Sequence, residues 1–322
     1  MEEKLRFLLR YAVLAPSAHN TQPWTFQVEG NHITLLPDFS RALSVSDPTH
    51  RELYLSLGCA LANLLIAAEH FGFQVVVEEF PGGERRPVAR LSFVSGHAEV
   101  QGNGALFAAI AKRRTNREKY ESRAVPNDTL QRLRAQVSDP AVRLDLVTET
   151  SKITTLAELT AKATLATLGR SDFRSELSRW VRNNYTKRPD GMPGFAVGVP
   201  NLPSLLAPVM VRLPPMAKAE AEKARDRIAG SPLVAVISAK DDAPPGWVKA
   251  GALFERLCLA AAAAGLRSAP YAGAFEAGSL HEDVERLLGV TGFRSQSLLR
   301  IGYGPENSHP TPRRSLEAVL AR

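Results

Sequence analysis

The sequence predicts an α+β fold made of two pseudo-symmetric halves. Apolar segments with helical spacing alternate with short β-branched segments along the 322 residues. The helical sequence GCALANLLIAAEHFGF (58–73) aligns without gaps on GALFERLCLAAAAAGL (251–266), and ARLSF (89–93) matches LRIGY (299–303) in type. Each match is weak alone because Ala and Leu are common, but the matches occur in the same order. They therefore favour a tandem duplication of one α+β unit over a coincidence between two buried helices.

The first half, residues 1–104, is predicted to hold two helices and four strands. Residues 3–14 have apolar side chains on one helical face, and Pro16 ends that helix. WTFQVEGNHITLL predicts a hairpin, and RELYLSLGCALANLLIAAEHFG predicts a long buried helix that ends at Gly72. Two further strands, QVVVEEF and PVARLSFV, are separated by a Gly-Gly turn.

The second half, residues 105–322, repeats the alternation of helices and strands. Its predicted helices are ALFAAIAKRRT, DTLQRLRAQV, residues 154–168, residues 172–182, GALFERLCLAAAAAGL and LHEDVERLLG. Its predicted strands are VRLDLVTE, PLVAVISA and SLLRIGYG.

Residues 183–215 interrupt this pattern. The segment is rich in Pro and Gly and carries apolar side chains without clear periodicity. A disordered linker would be more polar, so we expect an ordered segment. Two interpretations stay open: a lid or arm across a site or another subunit, and an inserted surface subdomain.

The cysteine count and the length of the apolar runs exclude several classes of protein. Cys59 and Cys258 are too few for a disulfide framework or a Cys-rich zinc site, so we expect buried thiols and no metal site. No apolar run reaches the ~18 residues of a membrane span, and no hydrophobic leader follows Met1. We therefore expect a cytoplasmic protein without a membrane partner.

The net charge of +7 permits nucleic-acid binding, but the basic residues are scattered except at 112–117 and 313–314. No zinc finger, basic zipper or RNP-like strand accompanies them, so we expect no nucleic-acid partner. The two Arg clusters fit a bound phosphate or an anionic nicotinamide cofactor at least as well. There is also no GxGxxG after a strand, no Walker A motif, no HExxH and no GxSxG.

The most distinctive polar motif is the loop APSAHNTQPWTF. It places Pro16, Ser17 and Asn20 directly after a helix and follows them with Gln22 and Trp24. Short hydrogen-bonding side chains, held by two prolines and an indole, suit the binding of a flat, polar molecule.

A second motif, AKRRTNREKY, groups Arg113, Arg114 and Arg117 around the hydroxyl of Thr115 at the end of a predicted helix. Clustered arginines can donate charge-assisted hydrogen bonds to a phosphate and can supply a fixed cation to a group that becomes anionic. Taken alone, such a cluster is more often a solvated basic helix end.

Both motifs resemble those of flavin-binding nitroreductases, and further segments agree. The loop resembles P-S-x-x-N-x-Q-P-W, and RRTNREKY followed by AVPNDTLQRL resembles the R-R-S-x-R-x-(F/Y)…VP-x-x-x-L opening of that family. GLRSAPYAGAF resembles the family's G-L-x-S-x-P-x-x-G segment, and SLLRIGYGPENSHPTPRRSLEAVL resembles its closing strand and PR-R-x-L-E tail. The chain is therefore similar to the nitroreductase superfamily over essentially its whole length.

The order of these motifs differs from the family order. In ordinary nitroreductases, two identical chains build two FMN sites at their interface, and each site takes the opening from one chain and the loop from the other. Here the loop lies in the first half, and the opening and tail lie in the second. This layout resembles the Acg-like branch, as do DPTHRELYLSLGCALANL and DFRSELSRWVRNN…DGM. It implies a nitroreductase-like fold in which the halves form an internal pseudo-dimer with one FMN site, as a monomer or a homodimer.

Matching positions in the motifs implies the contacts to FMN. Arg113, Arg114 and Thr115 would contact the phosphate and ribityl region, and Arg117 would lie at the pyrimidine edge, where it stabilises reduced N1. The further cofactor-binding residues are Arg313 and Arg314 at the phosphate, Pro16, Ser17, Ala18 and Asn20 along the ring, and Pro270, Tyr271, Ala272 and Gly273 beside flavin N5. No catalytic side chain is implied, because the chemistry takes place on flavin N5.

Three loop side chains have other expected roles. Gln22 and Trp24 are expected to brace the loop. His19 either faces the substrate or, as is more common for such a residue, lies at the loop surface.

The implied activity is FMN-dependent oxidoreduction. Hydride from NAD(P)H would reach flavin N5 and pass to a nitroaromatic, a quinone or a similar electron-poor acceptor. One departure is that common nitroreductases have Glu where Ala272 falls. If residues 183–215 form a lid, they would also cover the ring face that the nicotinamide must reach. The alternative is therefore a non-catalytic protein that sequesters FMN under a lid.

Overall fold

Two four-stranded antiparallel sheets, one in each half of the chain, form the framework of the molecule. The computed structural model describes residues 1–83, 87–94, 103–271, 279–306 and 309–321. The first sheet has the order β1-β2-β4-β3 and the second the order β5-β8-β10-β9, while β6 and β7 form a short parallel pair. The strands are β1 (Trp24–Glu29), β2 (His32–Pro37), β3 (Gln74–Glu79), β4 (Ala89–Val94), β5 (Val142–Val147), β6 (Val181–Arg182), β7 (Met192–Pro193), β8 (Leu233–Ala239), β9 (Arg267–Pro270) and β10 (Arg294–Gly302).

The helices of the described residues surround these sheets. They are α1 (Glu2–Ala12), α2 (Arg51–His70), α3 (Gly104–Ile110), α4 (Asn127–Arg134), α5 (Thr150–Gly169), α6 (Ser171–Trp180), α7 (Asn201–Ser204), α8 (Ala207–Met210), α9 (Pro215–Ala229), α10 (Pro244–Ala263), α11 (Leu280–Leu288) and α12 (Leu316–Val319). The α+β class predicted from the sequence is confirmed. The division into halves at residue 104 stays a prediction, although each large sheet draws its strands from one side of it.

Several predicted elements agree closely with the structure. The hairpin of β1 and β2 pairs Glu29 with His32 and turns through Gly30, whose φ of +59° suits glycine. The helix predicted to stop at Gly72 is α2, and Gly72 follows it with a φ of +77°. Among the described residues, α2 is also the one helix long and apolar enough to cross a membrane, but 83% of its apolar window is buried inside the molecule.

Helices α2 and α10 cross at the two glycines that the internal alignment pairs. A Cβ atom on Gly58 would lie 2.0 Å from the carbonyl oxygen of Val248, and one on Gly251 would lie 2.0 Å from the carbonyl oxygen of Leu55. Leu55 and Val248 each precede the glycine of their own helix by three residues. The two contacts are therefore reciprocal, as in an interface with two-fold symmetry. Only glycine permits this approach of two helix backbones.

The structure corrects the sequence-based elements in several places, and strand β9 and helix α12 are also absent from the predicted elements. Helix α3 ends at Ile110, so the predicted helix ALFAAIAKRRT does not reach Thr115. Helix α10 begins at Pro244, seven residues before the predicted segment. Helix α9 is not among the predicted elements, although its Ala-, Glu- and Lys-rich sequence favours a helix.

The insert, residues 183–215, contains β7, α7 and α8. Its outer side carries exposed large apolar side chains at helical spacing, namely Leu202, Leu205, Leu206, Val209, Met210 and Leu213. Its inner side carries Ser204 and Ala207, which are both buried. The periodicity absent from the sequence analysis is thus present over two short helices.

The C-terminal tail returns to the first half. Leu320 forms a β-bridge with Phe26 of β1, and the amide of Ala321 donates to the carbonyl of Phe26. Arg313 and Arg314 are therefore carried from the last strand of the second half to the loop of the first half.

Candidate functional site

A cavity of about 660 Å³ lies where the loop, the arginine motif, the insert and the tail meet. Both halves of the chain supply its walls. The lining residues are Pro16–Asn20, Glu52, Leu55, Ser56 and Cys59 from the first half, and Arg113–Thr115, Arg117, Glu118, Thr164, Thr167, Leu168, Phe173, Leu177, Met192, Phe195, Ala196, Phe254, Pro270, Tyr271, Ser297, Pro305, Glu306, His309, Thr311 and Arg313 from the second.

The loop forms one wall and has an unusual backbone. His19, Asn20 and Gln22 adopt φ angles of +48°, +56° and +53°, in the left-handed region that non-glycine residues seldom adopt. The hydroxyl of Ser17 accepts a hydrogen bond from the amide of Gln22 at 2.9 Å, which closes the loop on itself. Strained backbone of this kind is concentrated at functional sites, where the surrounding contacts hold it in place.

Asn20 and Gln22 tie the loop to distant parts of the chain. The Asn20 amide nitrogen donates to the carbonyls of Gly191 (2.9 Å) and Pro312 (3.1 Å). The side-chain nitrogen of Gln22, Nε2, donates to the carbonyl of Pro189 at 2.8 Å. The loop is therefore fixed to the insert and to the tail, and the Asn20 amide is already engaged by protein groups.

Two arginines meet at one end of the cavity. Arg113 and Arg313 both donate to the carbonyl of Leu14, at 3.4 and 3.1 Å, and Arg313 also donates to the Asn20 side-chain oxygen at 3.1 Å. Burial, together with the positive charge of Arg113, lowers the pKa of Arg313 to about 9. Glu255 is the carboxylate beside them, with Oε1 3.2 Å from Arg113 Nε.

Thr115 and Arg114 complete this end. Thr115 forms a β-bridge with Ser268 of β9, which turns the chain away from the helix that the sequence predicts there. Arg114 lines the cavity and donates to the carbonyls of Ala111 and Arg113.

Arg314 does not reach the cavity, in contrast to its predicted phosphate contact. Its guanidinium donates to the carbonyls of Gln22 and Ala318 and lies 3.5 Å from a carboxylate oxygen of Asp38. Arg314 therefore holds the tail against the first half.

Arg117 projects into the cavity from a strongly braced turn. Its guanidinium donates to the carbonyl of Ala196 in the insert at 2.9 Å, and burial lowers its pKa. The carbonyls on either side of it, at Asn116 and Glu118, accept hydrogen bonds from Arg300 at 3.0 and 2.7 Å. Arg300 is fully buried in β10, so its charge fixes the backbone that carries Arg117.

His19 lines the cavity rather than the outer surface. Burial lowers its pKa to about 4 and the nearby charge of Arg117 lowers it too, while Glu176 opposes the shift. Its Nδ1 atom is buried and has no hydrogen-bond partner among the described residues. A neutral imidazole with free hydrogen-bonding capacity therefore faces the ligand space.

The insert contributes part of the cavity wall, and its role as a lid stays a prediction. Met192, Phe195 and Ala196 line the ligand space. Asp190 ties the insert to the rest of the molecule, because it forms ion pairs with Arg41 of the first half and with Arg182 of β6.

The remaining sequence-based site residues divide into two groups. Pro16, Ser17, Ala18, Pro270 and Tyr271 line the cavity. Ala272 and Gly273 lie outside the described residues.

Several lining residues were not found from the sequence. Glu52, Ser56 and Cys59 of α2 and Phe173 and Leu177 of α6 lie in the segments that resemble the Acg-like branch, but no site role was predicted for them. Thr164, Thr167 and Leu168 of α5 belong to none of the motifs. Glu255 had a recognisable signal, because it is the lone acidic residue in the apolar run GALFERLCLAAAAAGL.

Comparisons with known proteins identify the family of the chain. The model of the nitroreductase family matches residues 110–303. A Mycobacterium tuberculosis (strain H37Rv) protein named "Putative NAD(P)H nitroreductase Rv3131" is 31% identical over 99% of this chain and 91% of its own. The protein named "Putative NAD(P)H nitroreductase acg" from the same strain is 27% identical over 98% of this chain and 95% of its own.

Solved nitroreductase structures are also similar. The FMN- and NADPH-dependent nitroreductase NfnB from a Sphingopyxis strain is 22% identical, with a TM-score of 0.46 over 67% of this chain and 98% of that chain. The family match and the full-length relatives lead to one conclusion: this chain belongs to the nitroreductase family, a family of oxidoreductases.

Proposed function

We propose that the protein is an FMN-dependent oxidoreductase that uses NAD(P)H, with one flavin bound between the two halves of each chain. One observation carries the proposal. A single cavity of about 660 Å³ joins the loop of residues 16–20 in the first half to the arginines at 113, 117 and 313 in the second. Two halves that each contribute one part of the site act as the two subunits of a pseudo-dimer.

The end of the cavity at Arg113 and Arg313 fits a phosphate. Arg113 is buried and Arg313 is half-buried beside one backbone carbonyl, and Arg313 Nε has no hydrogen-bond partner among the described residues. Buried, incompletely paired arginines suit a phosphate oxygen, to which they donate strong charge-assisted hydrogen bonds. Arg114 and the hydroxyl of Thr115 would complete the donor set, and Arg314 would take no part.

The rest of the cavity would take a flat ring system. Pro16, Ser17 and Ala18 would line one side of the ring, and Pro270 and Tyr271 would lie along its N5 side. Arg117 would hold a positive charge at the pyrimidine edge, where reduction of the ring creates negative charge. A cation fixed by the protein stabilises that charge without reorganisation.

When bound, FMN supplies the hydride chemistry between NAD(P)H and the electron acceptor. The chain's own residues position the ring, hold the cation and exclude water. Leu168, Phe173, Leu177 and Phe195 form an apolar wall over the remaining space. We infer that the acceptor is a small aromatic molecule of the nitroaromatic or quinone type.

A second candidate function is flavin sequestration, which one observation favours. Phe195 and Ala196 of the insert line the cavity, and the insert is held to the loop through Asn20 and Gln22. A lid fixed in this way would keep nicotinamide from the ring while retaining the flavin.

Anaerobic absorbance spectroscopy separates these functions. The purified protein, loaded with FMN if it is colourless, is mixed with NADPH and then with NADH. Bleaching of the flavin bands by either nucleotide supports the oxidoreductase. Bands that persist with both nucleotides support sequestration, and a protein that takes up no FMN refutes both functions.

A further inference from the structure

Glu255 is a fully buried carboxylate directly behind the phosphate end of the cavity. It lies on α10, and its Oε1 is 3.2 Å from Arg113 Nε. Neither carboxylate oxygen accepts a hydrogen bond of good geometry from the described residues, although the side chains of Asn63 and Arg113 lie close enough to lower the pKa of Glu255. A buried carboxylate normally needs well-formed hydrogen bonds to stay ionised. The positive charges of the arginines are the larger of the interactions that favour its ionised form, and Asn63 contributes less.

The groups around Glu255 come from three elements besides its own. Arg113 follows α3, and Arg313 belongs to the tail; both positive charges oppose the effect of burial on Glu255. Cys59 of α2 and Cys258 of α10 face the same space, and burial together with the charge of Glu255 raises the pKa of both thiols. The thiols therefore stay neutral, and the titration near neutral pH belongs to the carboxylate.

We propose that Glu255 is a positioning residue for the phosphate: it holds Arg113 and Arg313 before the ligand binds, and it takes up a proton when a phosphate dianion reaches them. This inference rests on the proposed function, because it requires a phosphate-bearing flavin. Its consequence is that the affinity for FMN, but not for riboflavin, depends on pH.

The physical reason is competition between two anions for the same guanidinia. A phosphate monoester is a dianion above a pH of about 6, so its arrival next to an ionised Glu255 would bury three negative charges together. Protonation of Glu255 removes one of them and leaves both arginines to the phosphate. Burial, opposed by Arg113 and Arg313, raises the pKa of Glu255 to about 7, so the proton is readily available near neutrality.

The internal alignment between α2 and α10 indicates that a carboxylate at this position occurs on α10 alone. The position that aligns with Glu255 in the first half is Ala62, which is also buried. At this pair of aligned positions, the carboxylate stands on α10, where it lies beside Arg113.

The sign of the effect follows from proton linkage. Above its pKa, the free protein has lost the proton that the complex requires, so FMN binding weakens as pH rises. For one group with a pKa of about 7, the dissociation constant increases about eightfold between pH 6.5 and 8. Riboflavin has no phosphate, so its dissociation constant stays constant over the same range.

Isothermal titration calorimetry tests this inference on the full-length, flavin-free protein. FMN and riboflavin are each titrated at pH 7.5 in two buffers that differ in ionisation enthalpy, which gives the number of protons taken up. We expect about 0.8 proton for FMN and none for riboflavin. Glu255→Gln should abolish the uptake and give an FMN affinity that is independent of pH. Glu149→Gln, at an exposed helix start, is the control and should keep the uptake.

Each result of the calorimetry either supports or overturns the role of Glu255. Equal proton uptake by both flavins, or no uptake with FMN, overturns the inference while leaving the proposed function intact. Uptake that persists in Glu255→Gln assigns the proton to another group and also overturns it. If Glu255→Gln fails to fold, the difference between the two flavins on the native protein still decides. If neither flavin binds, the proposed function fails and takes this inference with it.

Discussion

Replacement of Gly58 by alanine tests the close crossing of α2 and α10. The added Cβ atom would lie 2.0 Å from the carbonyl oxygen of Val248 and 2.8 Å from the amide nitrogen of Ala252. Both atoms belong to the backbone of α10, so no side chain can rotate away to make room. The two helices must move apart along their whole contact.

The expected cost follows from this geometry. Overpacking in a core costs about 1–3 kcal/mol, and a clash with a helix backbone belongs at the upper end of that range. We therefore expect Gly58→Ala to lower the free energy of unfolding by about 3 kcal/mol. Urea denaturation followed by circular dichroism measures this loss as a lower midpoint at an unchanged slope.

Gly104→Ala is the matched control, because Gly104 is also helical but a Cβ atom there meets nothing within 4 Å. That change should stabilise the protein slightly, by up to about 1 kcal/mol, since alanine is the better helix former. Gly251→Ala should cost as much as Gly58→Ala, and the double variant should cost less than the sum, because one separation of the helices relieves both clashes. Equal effects of Gly58→Ala and Gly104→Ala would refute the reasoning.

Three further predictions concern the site. Arg117→Ala should retain FMN but lower its reduction potential by about 30 mV, equal to about 1.4 kcal/mol for two electrons. The exposed Arg132→Ala is the control and should leave the potential unchanged. Potentiometric titration against a dye measures both variants, and an unchanged potential in Arg117→Ala would argue against a cation at the ring. Arg313→Ala should weaken FMN at least about tenfold and riboflavin hardly at all, as measured by fluorescence quenching; equal weakening of both would contradict the phosphate assignment. The pKa of Asp190 lies below its usual value, because the opposing effect of burial is outweighed by hydrogen bonds from two arginines. The ion pairs of the insert therefore persist at neutral pH and are lost only as pH falls through that lowered pKa. At neutral pH, Asp190→Asn should therefore speed proteolytic cleavage within the insert several-fold relative to the exposed Asp172→Asn, and equal cleavage would rule out a fastening role.

Elements with local signals could be predicted from the sequence. The hairpin has alternating apolar residues around a glycine turn, and α2 has a long apolar run with a glycine after it. The end of α3 could not be predicted in this way. ALFAAIAKRRT favours a helix throughout, but Thr115 pairs with Ser268, more than 150 positions away in the chain. That contact stops the helix at Ile110, and tertiary pairing thus overrides local propensity.

The residues of the candidate site also divide into those with a local sequence signal and those positioned by contacts with distant parts of the chain. The loop and the arginine motif could be recognised because each is contiguous in sequence. Fixing Asn20, by contrast, requires Gly191 of the insert and Arg313 of the tail, and no local pattern relates these three positions. Arg300 lies in the predicted strand SLLRIGYG, and no local pattern indicates that its buried charge holds the turn that carries Arg117.

The crossing of α2 and α10 and the charges near it obey different constraints. The contacts of Gly58 and Gly251 are reciprocal, so each helix restricts the other in the same way and both positions require glycine. One turn further along, Ala62 and Glu255 occupy aligned positions, but only the second is a carboxylate, and it lies beside Arg113. The close packing of α2 and α10 therefore favours the same residue in both halves, whereas a single charged site requires different residues. One chain can satisfy both requirements only if its two halves differ in sequence.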